Sequence, residues 1–393
     1  MEPMQGIRII DVTTNASGPM ATGMLADQGA DVIRFETVGV GDPSRHVGGV
    51  RGGVSAYTAY LNRNKRSMAV DLKNAAIRPA LYKIVQSADV FVQNSRPGAL
   101  DRSGFGYEDL QRLNPNLIYV SISGFGAKGP AAHQRVYDPV IQCVSGFAAA
   151  QGVNGEPVLM KTIASDKVAA LTAAQAISAA LFARARGTIA GHHVELSMLD
   201  ASLAFLWPEV FWNESFVGAE GFTPKPLIST FYELLRTTDG FITMIVVGDG
   251  EFAGVCRALE LERLADDSRF TSLTLRFANY SQMLTEFRPA TAKFSSAELI
   301  ARLEKEDVPC AKVNQFADVH TDPRVTHNHT LIEYDHPAGG RIRQARAPAI
   351  FDGEPCTVRR PSPALGEHTA ELLQSVGCSS AEIETWQRAG AIG

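Results

Sequence analysis

The sequence predicts an α/β protein in which a large doubly wound domain is followed by a smaller α+β domain. Three observations predict it: β-rich runs alternate with helical patterns through the first half, those runs are apolar almost throughout, and the alternation stops at a Gly- and Pro-bearing stretch over 214–227. Continuous apolar runs belong to strands covered on both faces, and the helices between them supply the crossovers that parallel strands need. At 393 residues the chain exceeds one ordinary domain. The bounds read as 1–200 for the large domain, completed by about 340–393, with 201–227 as linker and 228–339 as the small domain.

In chain order, the candidate strands are IRIIDV (7–12), DVIRFE (31–36), SMAVDL (67–72), DVFVQN (89–94), LIYVSIS (117–123) and HVELSM (193–198). Beyond the linker, TFYELLRTTDGFITMIVV reads as two strands joined at a turn containing Asp239 and Gly240. A helix then opens with the capping-box spacing Ser295 to Glu298 and runs through LIARLEKE. HPAGGRIRQARAPAIF reads as another hairpin. Near the C-terminus HTAELLQSVG is a helix with His368 at its capping position, and a last helix follows a capping box at Ser379 and Glu382.

Composition narrows the function classes. A chain 45% hydrophobic and 20% charged is of globular, soluble type. A net charge of -5 argues against nucleic acid as the main partner. The five cysteines, Cys143, Cys256, Cys310, Cys356 and Cys378, lack CxxC spacing, as suits free thiols in a reducing cytoplasm, and imply no metal site. MEPMQGIRII has no basic n-region or signal-length apolar core, and no stretch approaches roughly 18 uninterrupted apolar residues. A cytoplasmic protein with neither membrane nor nucleic acid as partner is expected.

The opening strand, turn, helix and strand, ending at Glu36, imitate a dinucleotide-binding unit. The glycines that would let a pyrophosphate approach are missing: the turn reads DVTTNASGPMA, and no GxxxxGK[ST] occurs elsewhere. Cations do follow the candidate strands, at Arg63, Lys65, Arg66, Lys73 and Arg102. In an open α/β sheet ligands sit beyond the carboxyl ends of the strands, so this set favours a phosphate-bearing ligand over a merely solvated surface. His327 and His329 lack an evident third metal ligand, and no GxSxG elbow or nucleophilic cysteine motif is present. Carboxylate chemistry remains. Asp166 stands alone before the uncharged run 168–182, a placement that by itself reads as helix capping.

Several segments together resemble the family III coenzyme A transferases, the group that includes formyl-CoA transferase and the carnitine and bile-acid CoA transferases, with alpha-methylacyl-CoA racemase as a relative. They are GIRIIDVT, GPMATGMLADQGADVIRFE, GDPSR, LNRNKRSMAVDLK, ADVFVQNSRPGALDRSGFGYEDL, NPNLIYVSISGFGAKGP, VYDPVIQCVSG and PSPALGEHTAELLQSVG, in order across nearly the whole chain. The resemblance implies that Asp166 is the catalytic nucleophile, compatible with a place at a helix mouth. It puts CoA-binding positions on Ala16, Lys73, Asn94, Arg102 and Arg135, with Val38 where formyl-CoA transferase has arginine. CoA or acyl-CoA then enters as substrate, no cofactor is permanently bound, and the partners are an acyl-CoA and a carboxylic acid.

By the same resemblance the reaction is CoA transfer between carboxylates through an aspartyl-CoA thioester, on an interlocked homodimer. The rival on this fold is an acyl-CoA racemase, which needs an acid and a base on opposite faces. Where the racemases carry a histidine before an aspartate, this chain has Tyr137 before Asp138, a poorer base that resembles the transferases. Tyr137 and Asp138 are expected to line the pocket or to serve structure. Two further activities stay compatible with these residues: a thioesterase, with water intercepting the intermediate, and CoA binding without turnover. The region GFTPKPLISTFYELL lacks the glycine-rich loop of formyl-CoA transferase, which disfavours formyl and oxalate substrates, while small dicarboxylates such as succinate fit the family. The stretch VVGDGEFAGVC is a candidate flexible loop or an ordinary turn.

Overall fold

The computed structural model describes residues 2–152, 155–218 and 220–393. The chain forms two compact units, Met1–Pro208 with His329–Gly393, and Glu209–Asn328. In the larger, β1 (Arg8–Asp11), β2 (Asp31–Glu36), β3 (Lys65–Ala69), β4 (Val90–Gln93), β5 (Ile118–Ser123) and β6 (His192–Ser197) form one sheet in the order β3-β2-β1-β4-β5-β6. Every pairing is parallel, with Ile10 opposite both Ile33 and Phe91. The order reverses between β1 and β4, so their carboxyl ends diverge and open a crevice.

The elements follow from their residues. Ile9, Ile10, Val32, Ile33, Val90 and Phe91 are fully buried, as strands covered on both faces require. Phe91 stacks on Tyr119 across β4 and β5 at 5.2 Å. Of the crossover helices, α1 (Ser17–Asp27) crosses close to α2 (Ala56–Asn62). Glycine is required at that crossing: a Cβ on Gly23 would stand 2.6 Å from the Leu61 carbonyl oxygen. Further helices are α3 (Arg78–Gln86), α4 (Tyr107–Leu113), α5 (Asp138–Ser145), α6 (Ala164–Ala185) and α7 (Met198–Val210). The uncharged run 168–182 is the middle of α6, which by length and composition alone could cross a membrane. One of its faces, with Ala169, Ala173 and Ile177, is buried in the large unit.

The smaller unit contains β7 (Leu235–Arg236), β8 (Phe241–Met244) and β9 (Cys310–Lys312), an antiparallel sheet, with α8 (Asp249–Ala258), α9 (Leu273–Ala278), α10 (Tyr280–Thr291) and α11 (Ser296–Lys305). Asp239 works at the turn between β7 and β8 by accepting from the N–H and hydroxyl of Ser296. Ser295 caps α11 by accepting from the Glu298 N–H.

Several boundaries differ from the sequence expectation. The third strand begins at Lys65 instead of Ser67, because Lys65 and Arg66 already pair with Val32 and Ile33 of β2. Residues 201–210, expected in a linker, are the end of α7. The hairpin of β10 (Leu331–His336) and β11 (Gly340–Ala345) falls in the large unit, so that unit resumes at His329 and not near 340. Arg63 holds the hairpin there, donating to the Gln344 side chain at 3.1 Å and the Ala345 carbonyl at 2.8 Å. The chain ends in α12 (Thr369–Ser375) and α13 (Ser380–Arg388), the latter opened by the Ser379 and Glu382 capping box. His368 precedes α12 without capping it. Its Nδ1 accepts instead from the Ser67 N–H at 3.3 Å, tying the C-terminal helices to β3.

Candidate active site

Two clefts open at the reversal point of the large sheet. One, of about 520 Å³, is lined by Thr13, Val38, Asp71, Lys73, Leu100 and Ser103 among others. The other, of about 320 Å³, is lined by Asn15, Asn94, Arg96, Gln134, Arg135 and Tyr137. Thr14 and Ser95, just beyond β1 and β4, belong to both. The clefts therefore meet where an open α/β sheet receives its ligand.

The loop between β1 and α1 lacks the glycines of a dinucleotide fold and is shaped by buried carboxylates. Asp11 accepts from the Thr13 N–H, the Thr22 hydroxyl and the Lys65 ammonium, the last at 3.0 Å. Asp42 accepts from the Asn15 N–H at 2.9 Å and pairs with Arg34 at 2.8 Å. Asn15 has φ of 66°, a left-handed conformation that a short polar side chain tolerates best after glycine. Burial would raise the Asp11 carboxyl, but Lys65 and then Arg34, helped by the Thr13 and Thr22 hydroxyls, hold it at about 2.

These contacts revise the reading of the cations. Lys65 is wholly buried on Asp11, Arg63 forks onto Asp27 at 2.7 Å, and Arg66 bridges Asp31 and Glu371. None of the three is a phosphate ligand. Their charges are compensated inside the fold, where desolvation makes a partner obligatory. Lys73 and Arg135, in contrast, line the clefts, and Arg102 lies next to Ser103 of the larger one. Asn94 donates to the Thr14 carbonyl and accepts from its N–H, both at 2.9 Å, so its amide clamps the loop. Ala16 is buried immediately before α1.

Asp166 lies in the first turn of α6 and is half-buried. Its carboxyl does not cap the helix. Asp138, nearly fully buried in the first turn of α5, does so from the neighbouring helix, accepting from the Asp166 N–H at 3.0 Å. Asp138 is steadied by Gln142, which donates to it at 2.6 Å and to the Thr162 carbonyl at 3.0 Å. Burial, followed by the charge of Asp138, pushes the Asp166 carboxyl up to about 6. The hydroxyl and N–H of Ser17, at the start of α1, oppose that rise.

Sequence reasoning missed Ser17 and Tyr57. The Tyr57 phenol is pushed up to about 12 by burial and by the charges of Asp166, Asp42 and Asp138. It therefore stays protonated beside the carboxylates. Only the packing of α1, α2, α5 and α6 could have found these residues, since neither belongs to a local motif. Tyr137, expected to line the pocket, does line the smaller cleft but is 68% exposed. In the small unit the candidate flexible loop is pinned: Glu251 accepts from the N–H groups of Val247 and Gly248 at the start of α8.

Comparison with known proteins places this architecture. Residues 4–369 match the model of CoA-transferase family III. A succinate–glutarate CoA-transferase of Agrobacterium fabrum is 34% identical, covering 98% of this chain and 97% of its own length. A mouse succinyl-CoA:glutarate CoA-transferase is 32% identical over 96% of this chain and 87% of its own. An acetyl-CoA:oxalate CoA-transferase of Acetobacter aceti is 32% identical, with 97% of each covered. Among solved structures, a CAIB/BAIF family protein from Brucella suis superposes with a TM-score of 0.83 at 30% identity, covering 95% of this chain and 99% of that one. A Mycobacterium tuberculosis protein reaches a TM-score of 0.82 at 26% identity over 95% of this chain and 99% of that one. With the family match and full-length relatives above 30% identity converging on one activity, the chain belongs to CoA-transferase family III and is an enzyme of CoA transfer.

Proposed function

We propose that the enzyme carries CoA between two carboxylic acids on the side chain of Asp166, as an aspartyl-CoA thioester. The observation that carries the reading is the placement of Asp166. It is a half-buried carboxylate where the starts of α1 and α6 meet, beside Asp138 and a protonated Tyr57. In the first step an Asp166 oxygen attacks the acyl-CoA carbonyl, and the C–S bond breaks to give a mixed anhydride and CoA thiolate. The thiolate attacks the aspartyl carbonyl, forming the enzyme thioester and releasing the donor carboxylate. The acceptor carboxylate then attacks that thioester and expels the thiolate, which returns to the new acyl group and frees Asp166. One thioester is exchanged for another, so no nucleotide energy is consumed. Backbone N–H groups at the two helix starts supply partial positive charge to the oxyanions.

Lys73, Arg102 and Arg135 are assigned to the CoA phosphates, with Ala16 and Asn94 shaping the loop over which CoA lies. Charge-assisted bonds to phosphate make this the natural use of cleft-edge cations. For the acids we infer four- and five-carbon dicarboxylates, from the succinate and glutarate enzymes among the relatives. Incubating CoA esters with a panel of acids and reading products by mass tests both parts. New succinyl- or glutaryl-CoA, with CoA covalently added to the protein, is the expected result. Release of free CoA alone means hydrolysis and refutes the transfer reading.

The raised carboxyl has a consequence for pH. Asp166 attacks only when ionised, so kcat/KM falls about tenfold per unit below pH 6 and levels off above it. A pH–rate profile that stays flat down to pH 4.5 contradicts the assignment.

We further infer that a second copy of the chain covers α6 and α7. Leu171 and Phe182 on α6 are 56% and 69% exposed, and Phe205 on α7 is exposed as well. Large apolar side chains left exposed on these two successive helices are what a partner copy would cover. Light scattering after size exclusion should give twice the chain mass, and Phe182→Glu should shift the population to monomer. A reducing cytoplasm suits the five cysteines, all of which are free.

A further inference from the structure

The helix that supplies the cap of α6 is built the wrong way out for packing alone. On α5, Asp138 and Gln142 stand one turn apart on the inward face and are 3% and 1% exposed, while Val140 and Val144 are 42% and 54% exposed. Burying a carboxylate and an amide in place of two valines lowers stability unless their hydrogen bonds are needed. Local conflicts of this kind gather at functional sites.

Gln142 uses both ends of its amide. Its Oε1 accepts from the Met160 N–H at 2.9 Å, and because that group can only donate, the two ends of the amide are told apart. Nε2 therefore faces Asp138, donating to Oδ2 at 2.6 Å, and its other N–H serves the carbonyls of Thr162 at 3.0 Å and Met160 at 3.4 Å. Residues 160–162 belong to the irregular stretch that enters α6. That helix has no cap of its own: Ile163 stands at the capping position without a side-chain bond, and the Asp166 N–H is held by Asp138 Oδ1 at 3.0 Å. One side chain thus fixes the chain ahead of Asp166 and, through Asp138, the backbone of Asp166 itself.

We propose that Gln142 is a positioning residue for CoA transfer, holding the entry to α6 and the Asp138 carboxylate so that the Asp166 carboxyl is aligned for attack on the thioester. The inference rests on Asp166 as the nucleophile and adds the side chain that aims it. A misplacement of about 1 Å costs about 10²-fold in rate. Gln142→Met keeps the side-chain length without the hydrogen bonds, so kcat is expected to fall at least about thirtyfold, with KM for the acyl-CoA within about threefold of wild type and a cooperative thermal transition retained. Gln142→Glu sets a second carboxylate against Asp138 and should lose as much. Adding Asp138→Asn restores one amide facing one carboxylate, still with an oxygen for the Asp166 N–H, and should raise kcat at least about tenfold over Gln142→Glu alone. That comparison decides the matter if Gln142→Met does not fold. A folded Gln142→Met protein with kcat within about threefold of wild type, a loss confined to KM, or no recovery in the double variant each overturns the proposal. Asp166→Ala separates the two readings: if it is inactive while Gln142→Met turns over normally, only the positioning role is lost, whereas full turnover by Asp166→Ala removes the nucleophile on which that role rests.

Discussion

Replacing Asp166 with alanine is expected to lower CoA transfer by at least roughly 10³-fold, since the proposed covalent intermediate forms on that carboxyl. Asp138 cannot substitute. It is almost fully buried, and its oxygens are engaged by the Asp166 N–H and by Gln142. The fold should survive the change, because the Asp166 side chain is not the cap of α6 and its removal relieves repulsion from Asp138. Asp166→Ala should thus keep its thermal midpoint and its affinity for CoA while losing both turnover and the covalent adduct seen by mass. Wild-type turnover in a folded Asp166→Ala protein would remove the basis of the proposed function. Asp166→Asn separates charge from shape: it keeps the volume, loses the nucleophile, and should be inactive as well.

The second large effect concerns stability. Asp11→Ala is expected to destabilise the protein by about 3–5 kcal/mol, because it leaves Lys65 buried without its anion and removes one of the three anions flanking Arg34. The Thr13 N–H and the Thr22 hydroxyl lose their acceptor in the same change. Urea titration at neutral pH reads the loss as a lower midpoint. The sign with pH can be worked out. The folded carboxyl is held at about 2, below the unfolded value near 3.9, so its contribution is complete above pH 4 and disappears as pH falls towards 2. The difference between wild type and Asp11→Ala should therefore shrink below pH 4. A paired Asp11→Leu and Lys65→Met protein should recover much of the loss, because removing both charges also removes the desolvation cost. A cost below about 0.5 kcal/mol for Asp11→Ala would mean that the pair is not holding the loop.

The contrast between Lys65 and Lys73 shows how far residue type can be taken. Both follow candidate strands in the sequence, and on that ground both are reasonable phosphate ligands. In the fold Lys65 begins a strand and turns inward onto Asp11, whereas Lys73 stays at a cleft wall. Strand position is legible because apolar runs between turn formers have few alternatives. The side of the sheet that a cation faces is not, because it is set by a carboxylate more than fifty positions away in the chain. Asp166 is a similar case. Its place at a helix start is visible, but the cap is supplied by Asp138, twenty-eight residues earlier and on another helix.

By itself the sequence determined the alternation of strands and helices, a doubly wound domain with parallel strands, and, through ordered segments across the chain, resemblance to a CoA-transferase family. Periodicity and local turn chemistry encode the strands and helices directly, since each depends on neighbours within a few residues, while the family is read from the resemblance of whole segments in order. Only the tertiary structure decided which cations are free to meet a ligand, that Ser17 and Tyr57 attend Asp166, and that the Asp166 carboxyl rises while Asp11 falls. Those outcomes depend on burial and on charges brought together from distant parts of the chain, and electrostatic energy is a function of distance in space rather than in sequence.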